Sequence, residues 1–244
     1  MSSLSQDTSY DSPFSKRKES MRAVKDSLIE FRSWLDGHEA RVTPLNLVNE
    51  KNNQLQAGEA IISLKIKDRS ISLPLAFVIG KNKNEQINEI RFYHSYWPIE
   101  EQHHVRLNIL PLEVQAPKIP PDVLAYHAAL RDGNIENVLG LFSKGGSIRE
   151  PSGGISGPGQ ESKLEDFFSR TFKKGGVSLI YHTIVDNEKC CAAEYTCTKW
   201  GATEIIPQSG MEFFDREEQE NNNGNNNSLF KSVRIYDDIN QPEI

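Results

Sequence analysis

The side chains in this sequence that could do chemistry are few and scattered. Glu150 stands directly before Pro151, and Tyr126 shares a helical stripe with Val123, His127 and Leu130. A carboxyl group withdrawn from water resists ionisation and takes up a pKa useful for moving protons. A tyrosine hydroxyl can donate to a bound carbonyl. Each also has a plainer reading: a solvated rim carboxylate, and a core tyrosine tied to nearby backbone. His182 alternates with Ile180 and Ile184, and Tyr195 with Ala193 and Cys197, so both are expected to face the interior of a sheet. A lone histidine on such a face is usually a satisfied core residue. Trp200 and Met211 are expected to line the same interior, where aromatic and sulfur side chains also serve as ordinary filler.

Other chemistries find no foothold. The sequence has no phosphate loop or nucleophile elbow. Its three cysteines, Cys190, Cys191 and Cys197, fall in one short segment without a partner pair at metal-ligand spacing. They read as small core residues of a protein in a reducing compartment, with a cytoplasmic location expected and neither metal nor cofactor.

The elements that must position these residues are clearest in the second half. Val123, Tyr126, His127 and Leu130 form a helix that Asp132-Gly133-Asn134 breaks. Ile135, Val138, Leu139 and Phe142 predict a second helix ended by Gly145-Gly146, and 147–150 a short extended piece stopped by Pro151. After a Gly/Pro/Ser loop, a third helix over 161–172 turns Leu164, Phe167, Phe168 and Phe172 inward. The period then changes from 3.6 to 2, which predicts strands near 178–186, 189–200, 203–214 and 230–236. The asparagine run at 221–227 cannot pack and is expected to be a disordered hairpin tip.

The first half repeats the later part of this order. A helix carrying Met21, Val24, Leu28, Phe31 and Leu35 precedes strands near 40–49, 58–67, 70–79 and 86–97. The last of these, Ile90-Arg91-Phe92-Tyr93-His94, lies over Val233-Arg234-Ile235-Tyr236-Asp237. Before the helix stands a Ser- and Asp-rich stretch, 1–13, expected to be a polar leader. The proline-rich segment 100–120 is expected to be a linker.

Helix, helix, short strand, helix and long antiparallel sheet resembles the NTF2-like superfamily, which includes ketosteroid isomerase-like and SnoaL-like proteins. The stretches that carry the resemblance run from Tyr126 to Asn134, Leu141-Phe142, Ile148 to Pro151 and Val233 to Asp238. It implies an α+β fold of two cone-shaped units, each a curved antiparallel sheet with helices on its concave face. Residues 1–99 would form a partial unit lacking the N-terminal helical hairpin, and 121–244 a complete one. It also implies an apolar pocket in which a carboxylate shuttles a proton while a tyrosine and a protonated acid hold an enolate. Glu150 and Tyr126 match the first two; the third falls near Gly210 or Met211, where no acid stands.

Two functions follow as expectations. The favoured one is a non-catalytic module that binds a small apolar ligand or a protein partner. The alternative is a cofactor-independent isomerase- or cyclase-like enzyme with Glu150 as base and Tyr126 as donor, and His182, Tyr195, Trp200 and Met211 as ligand contacts. A formal charge of −6 on 244 residues argues against nucleic acid, the one basic cluster, Lys16-Arg17-Lys18, reads as solvated leader, and no apolar run is long enough to cross a bilayer. The two sheets are expected to pack back to back as an intramolecular pseudo-dimer.

Overall fold

The computed structural model describes residues 4–50, 54–112, 117–220 and 226–239. The first unit comprises strands β1 (Leu4–Ser12) and β2 (Ser15–Glu19), helix α1 (Met21–Gly37), and strands β3 (Arg41–Asn49), β4 (Leu55–Ile66), β5 (Arg69–Lys81) and β6 (Ile87–Tyr93). A short helix α2 (Trp97–Glu100) follows. The second unit adds a hairpin of helices, α3 (Pro121–Asp132) and α4 (Ile135–Leu139), then β7 (Phe142–Arg149), β8 (Ile155–Ser156) and helix α5 (Leu164–Thr171). It closes with β9 (Val177–Asp186), β10 (Cys190–Trp200), β11 (Thr203–Glu220) and β12 (Asn226–Tyr236). No helix is long and apolar enough to cross a membrane.

The two sheets have one topology. Their strand orders are β2-β1-β6-β5-β4-β3 and β8-β7-β12-β11-β10-β9. Both are mixed, where an antiparallel sheet was expected, because β1 runs parallel to β6 and β7 parallel to β12. Residues 4–12, expected as a polar leader, are thus the first unit's counterpart of β7. Their polar side chains suit an ordered strand because Thr8 is fully buried and donates to the carbonyl oxygen of Ile87 at 2.7 Å. The copy lacks only the helical hairpin. A second correction concerns Phe142, which begins β7 and does not end a helix. The glycines 145 and 146 lie within that strand, and a Cβ on Gly146 would stand 2.9 Å from that of Phe142. Of the asparagine run, 221–225 lies outside the described residues, while β11 and β12 pair up to Glu220 and Asn226.

One face of each sheet is covered by its own helices. In the second unit Val123, Tyr126 and Val138 from the hairpin and Phe168 from α5 pack with Tyr181, Ala193, Tyr195 and Phe214. In the first, α1 brings Phe31, Trp34 and Leu35 onto Ile62, Leu64, Leu73 and Leu75. Aromatic rings on these faces need room from the neighbouring strand. A Cβ on Gly210 would stand 2.5 Å from the Tyr195 ring, and one on Gly58 2.3 Å from the Phe77 ring.

The opposite faces meet each other. Val48, Ala57, Ala76, Val78 and Tyr93 of the first unit form one cluster with Val185, Ala192, Met211, Phe213 and Tyr236 of the second. Two reciprocal buried ion pairs cross this contact. Arg91 of β6 holds Glu194 of β10 through two hydrogen bonds of 2.6 and 2.7 Å, and Tyr93 donates to the same carboxylate at 2.7 Å. Arg234 of β12 holds Glu59 of β4 at 2.5 Å, and Tyr236 donates to Glu59. Burial opposes the ionised form of Glu194, but Arg91 outweighs it and holds the carboxyl below its usual range. Residue i meeting j while the equivalent of j meets the equivalent of i is the pattern of an isologous interface, here within one chain.

Candidate functional site

The helix-covered face of the second sheet carries two acids. Cross-strand partners share a face, so Glu212, opposite Ala193 and Ile235, points toward the helices. Its carboxyl is buried, accepts from the Tyr181 hydroxyl at 3.2 Å, and is pushed up to about 8 by desolvation, with the nearby Asp237 adding to the rise. Asp237, just past β12, accepts from the Tyr195 hydroxyl. Burial raises it to about 6, against the hydrogen bonds from Tyr195 and the Ile239 amide. Two carboxyls that titrate near neutrality therefore share one apolar interior with two tyrosines.

Asp237 reaches a pocket of about 430 Å³. Trp200, Phe167, Ile235 and Ile239 supply its apolar wall, and Glu150 and Arg170 its rim. Trp97 and His103, from the connection between the units, close one side. That connection is pinned by Asp238, which accepts from Ser95 Oγ at 2.7 Å, the backbone amides of Tyr96 and His104 at 3.1 and 2.7 Å, and lies 2.9 Å from His103 Nδ1. The chain order Asp237-Asp238 thus places one carboxyl inside the pocket and uses the next to fasten its cover.

Of the six residues singled out from sequence, two line this pocket and a third supports it. Trp200 forms wall. Glu150 stands on the rim, its side chain about one-third exposed and 3.3 Å from Arg170. Tyr195 lies behind Asp237 as its hydrogen-bond donor. Tyr126 is elsewhere: its ring is fully buried edge-on to Phe142, Phe214 and Phe230, so it does not join Glu150 in a site. Met211 lies on the other face, in the cluster between the sheets. His182 is displaced by a β-bulge. The pairings Glu194 with Thr183 and Tyr195 with Tyr181 leave His182 as the extra residue, and its Nε2 lies 2.7 Å from Thr196 Oγ1. Simple alternation cannot foresee a bulge.

Glu212 and Asp237 also carry a signal in the sequence. Val233, Ile235 and Asp237 alternate along the last strand, and Glu212 sits one place from the position where an acid was sought. Among the described residues no group of three or more His, Cys, Asp or Glu is arranged to hold a metal ion.

No family model and no curated protein matches the sequence. Among solved structures the chain is similar to a putative SnoaL-like polyketide cyclase from Jannaschia sp., at 10% identity over 38% of this chain and 67% of that one, with a TM-score of 0.32. It is similar at 14% identity to a protein with a ketosteroid isomerase-like fold from Catenulispora acidiphila in complex with trimethylamine, over 40% of this chain and 74% of that one, with a TM-score of 0.33. A Mycobacterium tuberculosis protein in complex with estradiol-17beta-hemisuccinate shows 13% identity over 40% and 79%, with a TM-score of 0.33. The second unit's order of helical hairpin, strand, helix and four long strands follows the expected one, with β8 added and β7 drawn into the sheet beside β12.

Proposed function

We propose that the second unit binds a small, largely apolar molecule with one polar end, and that the first unit backs it as the other half of an intramolecular pseudo-dimer. The observation that carries this reading is Asp237, a buried carboxyl at the floor of an aromatic-walled pocket of about 430 Å³. That volume suits a compact ligand, and one polar group among apolar walls is how such sites fix orientation. Above about pH 6 Asp237 is ionised and accepts a hydrogen bond, so it favours a hydroxyl or amine. Below that value it is protonated and can donate to a carbonyl.

Titration of small hydroxyl and carbonyl compounds against tryptophan fluorescence tests the reading. Saturable binding is expected, with hydroxyl compounds favoured at pH 7 and carbonyl compounds gaining at pH 5. Trp200→Ala is expected to weaken it about tenfold, as losing the apolar area that the half-buried indole would cover on the ligand costs about 1.5 kcal/mol. Binding that neither Trp200→Ala nor Asp237→Asn alters would place the ligand elsewhere and end the proposal. The enzymatic alternative, proton transfer next to a carbonyl, passes from Glu150 to Asp237, whose pKa of about 6 suits a base near neutral pH. Turnover of such a compound, lost in Asp237→Asn and kept in Glu150→Gln, would favour it.

A further inference from the structure

Two cavities adjoin on the first unit, where it meets the connecting segment and Asp238. One cavity of about 350 Å³ lies between α1 and α2, walled by Phe31, Trp34 and Ile99. Another of about 600 Å³ lies between the β1–β2 turn and the connecting segment, and includes His94. Phe14, Ser15 and Tyr96 line both, so the two share a wall.

Two polar atoms at this place are unsatisfied. His94 is about 1% exposed, and its Nδ1 lies 3.0 Å from the Ser95 carbonyl oxygen. A carbonyl only accepts, so Nδ1 carries the hydrogen and Nε2 presents a lone pair. That Nε2 is buried without a hydrogen-bond partner, as is Ser15 Oγ. Orphaned buried acceptors cost free energy and are uncommon, and they mark places where a partner belongs. Burial, the largest influence, holds His94 down to about 4, so the ring stays neutral and an acceptor at physiological pH. Around it the surface is aromatic: the Phe14 ring lies 4.3 Å and the Tyr96 ring 5.0 Å from the imidazole. Phe14 itself sits in the short turn between β1 and β2 and lines both cavities.

We propose that this is a second small-molecule site, for a flat aromatic compound bearing a hydroxyl or N–H that donates to His94 Nε2 while its ring lies against Phe14 and Tyr96. The site is separate from that of Asp237 and stands or falls independently of it. Its donor preference is the reverse of what a protonated acid would select, and it does not change between pH 6 and 8.

The matched probes are 2-naphthol and 2-methoxynaphthalene, which share a ring system and differ in the donor. Calorimetry on the full chain at pH 7 is expected to show 2-naphthol binding about tenfold or more tightly than the ether, the usual worth of one buried hydrogen bond left unmade. The nitrogen-15 spectrum of the histidine side chains is expected to show His94 Nε2 moving with 2-naphthol and staying put with the ether. His94→Phe is expected to erase the tenfold preference. Should that variant not fold, the spectrum of the unaltered protein decides alone. Absence of saturable binding, equal affinity for both probes, or heat without movement of His94 Nε2 overturns the proposal.

Discussion

The two units place the same strands in the same order, yet their helix-covered faces hold different chemistry. Glu212 pairs with Ile235 across β11 and β12, and the matching pair in the first unit is Phe77 with Phe92. Asp237 follows Tyr236 as His94 follows Tyr93. Where the second unit has two acids and tyrosines, the first has phenylalanine and a neutral histidine. The faces between the units diverge far less: Arg91, Tyr93 and Glu194 answer Arg234, Tyr236 and Glu59. A contact that joins the units constrains both copies at once, whereas each interior answers only to its own contents.

The largest test breaks the symmetry of the ion pairs. Arg91→Met leaves Glu194, fully buried, without its cation, and is expected to cost about 3–5 kcal/mol in urea denaturation. Arg234→Met is expected to cost less, about 1–3 kcal/mol, because Arg149 stands 3.8 Å from Glu59 and can take over. Equal losses would mean that the two crossings are energetically the same. Next comes the packing of rings over glycines. Gly210→Ala is expected to cost about 1–3 kcal/mol, since Tyr195 is tied to Asp237 and cannot yield. Adding Tyr195→Leu is expected to recover much of that loss.

A third test separates the interiors by pH. Glu212 and Asp237 have folded-state pKa values raised above those of the unfolded chain, to about 8 and about 6. The folded protein then keeps protons that the unfolded chain has released, so their contribution is present in full only below the ordinary values of 3.8 and 4.5 and is lost as pH rises through about 6 and about 8. Glu212→Gln is expected to flatten that fall by at most about 1.4 kcal/mol per pH unit between pH 5 and 8. Phe77→Leu in the first unit is expected to leave the slope unchanged, and a changed slope there would remove the contrast. The smallest effect is expected of Glu150→Gln. Its ion pair with Arg170 is exposed, so stability is expected to move by less than about 1 kcal/mol in thermal denaturation.

Helical stripes and alternating strands in the second half were legible because each buries one face, and burial prints a period on sequence. The first strand was not, since Thr8 is buried through its hydrogen bonds to the Ser5 and Ile87 carbonyl oxygens and a polar residue held in this way prints no apolar period. The start of β7 was misread because Phe142 continues a helical spacing by coincidence and only tertiary pairing with Phe230 draws it into the sheet. In the candidate site, Tyr195 followed from alternation; Trp200 did not, because the register shifts between Cys197 and Lys199 before it reaches the pocket. His182 did not, because one inserted residue reverses the faces beyond it, and Met211 fell on the interface face for want of a known register. Asp237 belongs to a pocket only together with Trp97 and His103, and those come from another part of the chain.

Separate subunits joined through such faces would part on dilution, and any substitution in one would appear twice. Here one chain carries both sheets, so the contact between them is intramolecular, and Asp238 accepts from Ser95 and from the His104 amide on the segment that follows the first sheet. Each side is also free to change alone. Arg149 reaches Glu59, while its register counterpart Asp11 turns to Arg106 and offers Glu194 no second cation.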